Sequence, residues 1–139
     1  EPKRGDIIVF KTSASDDAAL HIKRVIGLPG ETVDIIDGRI YINGSDTPLE
    51  ENYLPEEWWW ENDGYHLEVP EDCYFVMGDN RNDSADGRVW PEYALQAGLA
   101  STEEEAESYH FVERDEIKGK AIFTYFRHLK LLVNTADYE

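Results

Sequence analysis

The sequence has little of what many small secreted or membrane-spanning domains depend on. Cys73 is the only cysteine, which excludes an internal disulfide framework. No apolar run approaches the roughly 20 residues that a membrane-spanning helix needs. The opening "EPKRGDIIVF" leads almost directly into a strand pattern and contains no signal peptide. The 139 residues are nevertheless enough for one domain with a hydrophobic core.

Basic residues are also scarce. The chain has 13 Lys and Arg against 30 Asp and Glu, a formal net charge of −17. Affinity for nucleic acid and for anionic lipid comes mainly from Lys and Arg near phosphates, so this balance argues against both kinds of partner. The four Trp, eight Tyr and five Phe are too many for a disordered tail.

Short apolar runs bounded by turn residues predict a mostly β chain. Ile7–Phe10 follows Gly5, and 20–28 ends at a Pro-Gly turn. Two β-rich runs flank Asp37-Gly38, which predicts a type I′ hairpin. The tail after 128 is a final strand or a frayed end. We predict one domain, 1–139, with a core of 4–44, 65–90 and 111–133, a loop with a tryptophan cluster at 45–64, and a helical insertion at 91–110 that begins at Pro91.

Metal and nucleotide sites are not indicated. The histidines are scattered, and none lies at helical spacing from another: His21, His66, His110 and His128. The oxygen-rich stretch that begins at Asp79 fails the calcium-loop pattern, because Arg81 and Ser84 occupy its third and sixth positions. No glycine-rich phosphate loop leads into a helix. We therefore expect neither a metal nor a cofactor.

Lys23, at the end of an apolar run, combines with the loop 78–88 into a candidate catalytic site. A lysine acts as a general base only when neutral, and burial against apolar neighbours lowers its pKa. A hydroxyl group such as that of Ser84 could orient the amine without adding charge. Composition alone favours an ordinary solvated surface residue at Lys23 over a catalytic base.

Three segments together resemble the ordered motifs of type I signal peptidases, the membrane-bound Ser-Lys proteases that remove signal peptides from exported preproteins. They are "RGDIIVF" at 4–10, "KRVIGLPGE" at 23–31 and "MGDNRNDSADGR" at 77–88. "GKAIFTYF" at 119–126 resembles the family's closing strand. The resemblance implies coiled, partly barrel-like antiparallel sheets. It also implies a catalytic domain on the extracytoplasmic side of a bacterial cell membrane.

The resemblance assigns roles to individual positions. Lys23 matches the family's general base, and Ser84 matches the residue that hydrogen-bonds and orients the lysine amine. Asp86 and Arg88 match a pair that braces this loop, and Asp79 matches the aspartate of the "GDN" turn.

The same resemblance implies a substrate-binding strand. Leu20, His21 and Ile22 match the edge along which a signal peptide lies as an added strand. Leu20 and Ile22 would help to line shallow pockets that accept small residues at the −1 and −3 positions, which explains the family's A-x-A preference.

The sequence departs from the family pattern in two ways. The family's nucleophilic serine follows a membrane anchor upstream of "RGDIIVF", whereas only Glu1, Pro2 and Lys3 precede Arg4 here. We therefore expect a signal peptidase piece that lacks the serine, the oxyanion donors and the anchor, and that is inactive alone. Uncovered strand edges would favour a dimer or swapped contacts. "DGR" at 86–88 replaces the more usual "DSR", a change that we expect to be mild.

Two alternatives remain open from the sequence. One is a Ser-Lys autoprotease of the repressor-cleaving type, and the other is a non-catalytic homologue that binds exported peptides. The cluster Trp58–Trp60 allows packing against the domain or contact with a bilayer interface, and the four acidic residues around it favour packing.

Overall fold

A computed structural model describes residues 1–12, 20–54, 57, 64–124 and 130–134. The strands are β1 (Ile7–Phe10), β2 (His21–Gly27), β3 (Thr32–Ile36), β4 (Arg39–Ile42), β5 (Tyr65–Glu68), β6 (Cys73–Met77), β7 (Val112–Glu113), β8 (Ile117–Thr124) and β9 (Lys130–Asn134). The helices are α1 (Trp90–Gln96) and α2 (Glu103–Ala106), with 3₁₀ turns at Glu107–His110 and Arg114–Glu116. None of the helices in these ranges has the length and apolar character needed to cross a bilayer.

The strands form two antiparallel sheets. A six-stranded sheet has the order β7-β6-β2-β1-β8-β9, and a three-stranded sheet has the order β4-β3-β5. Strand β2 lies near the middle of the large sheet, between β1 and β6. The predicted mainly β, antiparallel fold class with few helices is confirmed.

The small sheet contains the predicted hairpin. Ile36 pairs with Arg39, so the two-residue turn is Asp37-Gly38. Their φ angles are 52° and 71°, the left-handed values that a type I′ turn requires at both central positions. Short-range turn chemistry therefore sets the register of β3 and β4.

Strand β6 connects two hydrophobic clusters because its side chains alternate between the faces of the large sheet. Phe75 and Met77 pack with side chains of the small sheet in one cluster. Tyr74 and Val76 pack on the opposite face in a second cluster, which includes Trp90. All of these side chains are almost fully buried, and each such burial stabilises the fold by roughly 1.5–3 kcal/mol.

The segment 90–110 covers the second face of the large sheet. Pro91 lies in the first turn of α1, where its missing N–H costs no helical hydrogen bond. Helix α2 begins after Thr102, whose side chain accepts a hydrogen bond from the backbone of Glu105. The Trp90 ring lies 5.7 Å from Phe10 and 6.4 Å from His21, centroid to centroid. The helical segment thus packs against β2, which carries Lys23, and against its neighbour β1.

Candidate active site

Strand pairing determines where Lys23 lies. It sits in β2 directly opposite Ile8 of β1, on the same face as the fully buried Val25. Burial of the half-buried amine lowers the pKa of Lys23 below its ordinary value of 10.5. The carboxylate of Asp86 partly opposes this shift, and the guanidinium of Arg88 adds to it. The neutral, proton-accepting form of Lys23 is therefore more accessible than in a solvated lysine.

The loop 78–88 brings Ser84 to Lys23. Lys23 Nζ donates to Ser84 Oγ over 3.1 Å, across a sequence separation that no local pattern specifies. The hydroxyl restrains the direction of the amine and adds no charge beside it. The structure thus brings together the two residues that the sequence linked by resemblance.

Asp86 and Arg88 form a buried ion pair beneath this contact. Arg88 donates from Nε to Asp86 Oδ1 and from Nη2 to Asp86 Oδ2, both over 2.9 Å. Asp86 also accepts from the backbone N–H groups of Gly78 and Arg88. The carboxylate is 0% exposed. These contacts hold the two ends of the loop together around Ser84.

Gly78 is needed because Ser84 approaches it closely. A Cβ atom at position 78 would lie 2.7 Å from Ser84 Cβ, closer still to Ser84 Oγ, and 3.5 Å from Lys23 Nζ. Gly78 therefore leaves the space that the serine hydroxyl occupies. The sequence alone does not mark Gly78 as a site residue, since a turn glycine carries no signal of a close side-chain approach.

Asp79 lies in a second ion pair at the start of the loop. Arg24 donates from Nε and Nη2 to its two carboxylate oxygens over 2.8 and 2.7 Å. Arg24 Nη1 also donates to the carbonyl of Gly5. Arg24 was missed as a site residue, although it adjoins Lys23. Because side chains alternate between the two faces of a strand, Lys23 and Arg24 point to opposite faces of β2 and contact the loop 78–88 from different sides.

The strand residues predicted to bind substrate do not share one environment. Leu20 is 54% exposed and Ile22 is 38% exposed. The His21 ring instead stacks on Phe10 at 5.9 Å between centroids and meets the edge of Trp90. The structure therefore presents Leu20 and Ile22 to solvent and turns the His21 ring towards the core.

The family model described as "Signal peptidase, peptidase S26" matches residues 1–126. The chain belongs to this family. A signal peptidase I from Leptolyngbya laminosa is 47% identical over 97 residues, covering 64% of this chain and 45% of the relative. A probable signal peptidase I-2 from Synechocystis sp. is 43% identical over 143 residues, covering 100% of this chain and 55% of the relative. The chain thus spans about half the length of these curated relatives.

A solved structure extends the likeness to the backbone. The crystal structure of a signal peptidase I from Enterococcus faecalis V583 has a TM-score of 0.60 to this chain at 32% identity. The match covers 86% of this chain and 96% of that one. The predicted family is confirmed by these comparisons.

Gly87, where the more usual family pattern has serine, has no room for a side chain. A Cβ atom there would lie 2.6 Å from the carbonyl oxygen of His110 and 2.8 Å from the Phe75 ring. His110 Nδ1 also hydrogen-bonds the carbonyl of Gly87 at 2.6 Å. The helical segment therefore ends directly against the loop. That "DGR" is a mild change stays a prediction.

The sequence also raised the questions of a metal site and of the packing of the tryptophan cluster. No group of three or more His, Cys, Asp or Glu side chains that could hold a metal ion is found within 1–12, 20–54, 57, 64–124 and 130–134. The cluster Trp58–Trp60 lies outside the described residues, so its packing stays a prediction.

Proposed function

We propose that this chain is the catalytic part of a type I signal peptidase, which removes signal peptides from exported preproteins. The observation that carries the proposal is the half-buried Lys23 amine held 3.1 Å from Ser84 in a loop braced by Asp86 and Arg88. The relatives named signal peptidase I support the same reaction class.

In the proposed mechanism, neutral Lys23 is the general base. It takes the proton from a serine hydroxyl while that oxygen attacks the scissile carbonyl, and an acyl-enzyme forms as Lys23 returns the proton to the leaving amine. Lys23 then takes a proton from the water that hydrolyses the ester and gives it to the departing serine oxygen, which restores the neutral base and the serine hydroxyl. The nucleophilic serine would come from outside these 139 residues, whereas Ser84 would only orient the base.

The substrate would lie extended beside the first residues of β2, which precede Arg24, where the pairing with β6 begins. Strand addition supplies backbone hydrogen bonds, and the exposed Leu20 and Ile22 would contact the small residues of an A-x-A site. Steric exclusion in shallow pockets would then select these residues. We further propose that an anchor outside the chain holds this domain at the extracytoplasmic face of a bacterial membrane. A dimer or swapped contact stays a prediction.

The proposal is tested with the full-length protein in detergent or lipid vesicles. It should cut a preprotein once, directly after an A-x-A sequence, as identified by N-terminal sequencing of the product. The 139-residue chain alone should not cut it. Binding without cleavage by the full-length protein would support the non-catalytic alternative, and cleavage of its own chain alone would support the autoprotease.

The pH dependence of cleavage should follow Lys23. Below the pKa of Lys23 its amine is protonated and cannot accept a proton, so kcat should rise with pH. The rise should level off below pH 10.5, the ordinary lysine value, because burial lowers this pKa. The measurement is a pH–rate profile on an A-x-A peptide. A rise that continued through pH 10.5 would contradict a buried lysine base.

Substitution Gly78→Ala should displace Ser84 and leave the fold intact. The new methyl group needs the space of the Ser84 side chain, so the Lys23–Ser84 contact should open. A misplacement of this kind costs roughly 100-fold in kcat. The double variant Gly78→Ala/Ser84→Ala should be no slower than Gly78→Ala, since both changes remove the same contact. Fully additive losses in kcat would contradict this.

A further inference from the structure

Arg81 is a buried charge within the active-site loop 78–88. Only 1% of the surface of Arg81 is exposed to solvent. Nη1 and Nη2 donate to the two carboxylate oxygens of Glu51 over 3.0 and 2.6 Å. The two side chains are only 0% and 6% exposed. A guanidinium so far from water requires a hydrogen-bonded anion, so Glu51 restricts where the Arg81 side chain can lie.

The third nitrogen of Arg81 connects this pair to the candidate active site. Nε donates to the carbonyl of Gly78 over 2.7 Å. The N–H of Gly78 donates to Asp86 over 2.9 Å, and its Cα faces Ser84. Arg81 and Asp86 therefore hold the backbone of Gly78 from two sides, and a shift of Gly78 would move Ser84 relative to Lys23.

Tyr53 places Glu51 and also contacts Arg24. Its hydroxyl donates to Glu51 Oε1 over 2.8 Å, and its ring lies 3.8 Å from Arg24 Cζ. Burial, assisted by the charge of Glu51, raises the pKa of Tyr53 to about 12, so the hydroxyl remains a neutral donor. The 51–54 segment thus contacts two arginines that hold the loop, Arg24 through the Tyr53 ring and Arg81 through Glu51.

We infer that Glu51 is a positioning residue for the Lys23–Ser84 pair, acting through Arg81 and the backbone of Gly78. The inference rests on the proposed function, because it treats Lys23 as the base. It gives a role to the 51–54 segment, which lies outside the motifs that carried the resemblance. Without Glu51, the Arg81 charge would move towards water and release Gly78, and water would then reach the lysine amine.

The test compares Glu51→Gln with Glu31→Gln in the full-length protein. Glu31 is the control, since it forms a similar two-bond pair with Arg4 over 2.6 and 2.8 Å outside the loop 78–88, with side chains that are 14% and 28% exposed. We expect Glu51→Gln to lower kcat roughly 10- to 100-fold. Its KM should stay within about twofold of wild type. The rise of its pH–rate profile should move to higher pH, whereas Glu31→Gln should change neither kcat nor the profile.

A second variant keeps the test decisive if Glu51→Gln does not fold. Glu51→Gln/Arg81→Met removes both buried charges, so it should fold better than the single variant. Its kcat should remain low, because the Arg81 bond to Gly78 is also lost. A double variant that folds and cleaves at the wild-type rate would overturn the inference.

Titration of Lys23 by NMR in the 139-residue chain separates this inference from the proposed function, since it needs no substrate. Glu51→Gln should raise the pKa of Lys23 towards that of a solvated lysine, and Glu31→Gln should not. If the full-length protein cleaves no preprotein but the Lys23 titration moves as expected, the positioning role stands and the proposed function fails. If it cleaves and Glu51→Gln matches the control in kcat and titration, the positioning role is wrong.

Discussion

Replacing Lys23 with alanine should abolish signal-peptide cleavage by the full-length protein. The substitution removes the only group placed to accept the nucleophile's proton in the proposed mechanism. General-base catalysis accelerates a reaction roughly 100- to 10,000-fold. When the base acts together with a nucleophile, its loss lowers kcat by a factor at or beyond the upper end of this range. The measurement is kcat on an A-x-A peptide, with KM compared at the same pH.

Two further variants test whether the loss belongs to Lys23 itself. Lys118→Ala removes an exposed lysine of β8 and should leave kcat unchanged. Ser84→Ala should retain measurable cleavage, because a misdirected amine is still a base. Complete loss in Ser84→Ala, with the same magnitude as in Lys23→Ala, would instead identify Ser84 as the nucleophile. Activity that survived Lys23→Ala would overturn the mechanism.

Substitution Asp86→Asn should give the largest loss of stability in the loop. It leaves the Arg88 guanidinium, 2% exposed, without its anionic partner. Removing one partner of a buried ion pair costs about 3–5 kcal/mol of the free energy of unfolding. Urea unfolding of the 139-residue chain, followed by circular dichroism, measures this change directly.

The exposed pair of Glu1 and Arg114 provides the control for Asp86→Asn. Its side chains are 79% and 42% exposed. Glu1→Gln should therefore change the free energy of unfolding by less than about 0.5 kcal/mol. The double variant Asp86→Asn/Arg88→Met should regain stability relative to Asp86→Asn, because no charge is left buried alone. Equal midpoints for Asp86→Asn and wild type would show that the pair does not brace the loop.

Local features of the sequence predicted the strands best. Asp37 and Gly38 both tolerate the positive φ angles of a type I′ turn, so backbone sterics favour a tight hairpin between the two flanking strands. Apolar runs such as Ile7–Phe10 predicted buried strands, because a strand in a sheet covered on both faces carries apolar residues at successive positions. The stretch 91–110 is broken into separate short helices, since Gly98 adopts a left-handed φ of 76° between them.

The candidate site was accessible from the sequence only in part. Resemblance named Lys23 and Ser84, but nothing in the local pattern revealed that Gly78 must lack a side chain or that Glu51 meets Arg81. Those facts depend on contacts between segments far apart in the chain. His21 shows the same limit. Its place in the strand was clear, but the packing of Trp90 determines the surroundings of its ring.

The sequence by itself determined the mainly β character, the tight turns, the acidic surface and, through its ordered motifs, the family. These properties follow from side-chain chemistry and from backbone preferences within a few residues. Only the tertiary structure decided how far Lys23 is buried, that Ser84 lies 3.1 Å from it, and which charges are paired without water. The physical reason is that desolvation and hydrogen bonding depend on which distant atoms surround a group, and the folded chain alone sets that arrangement.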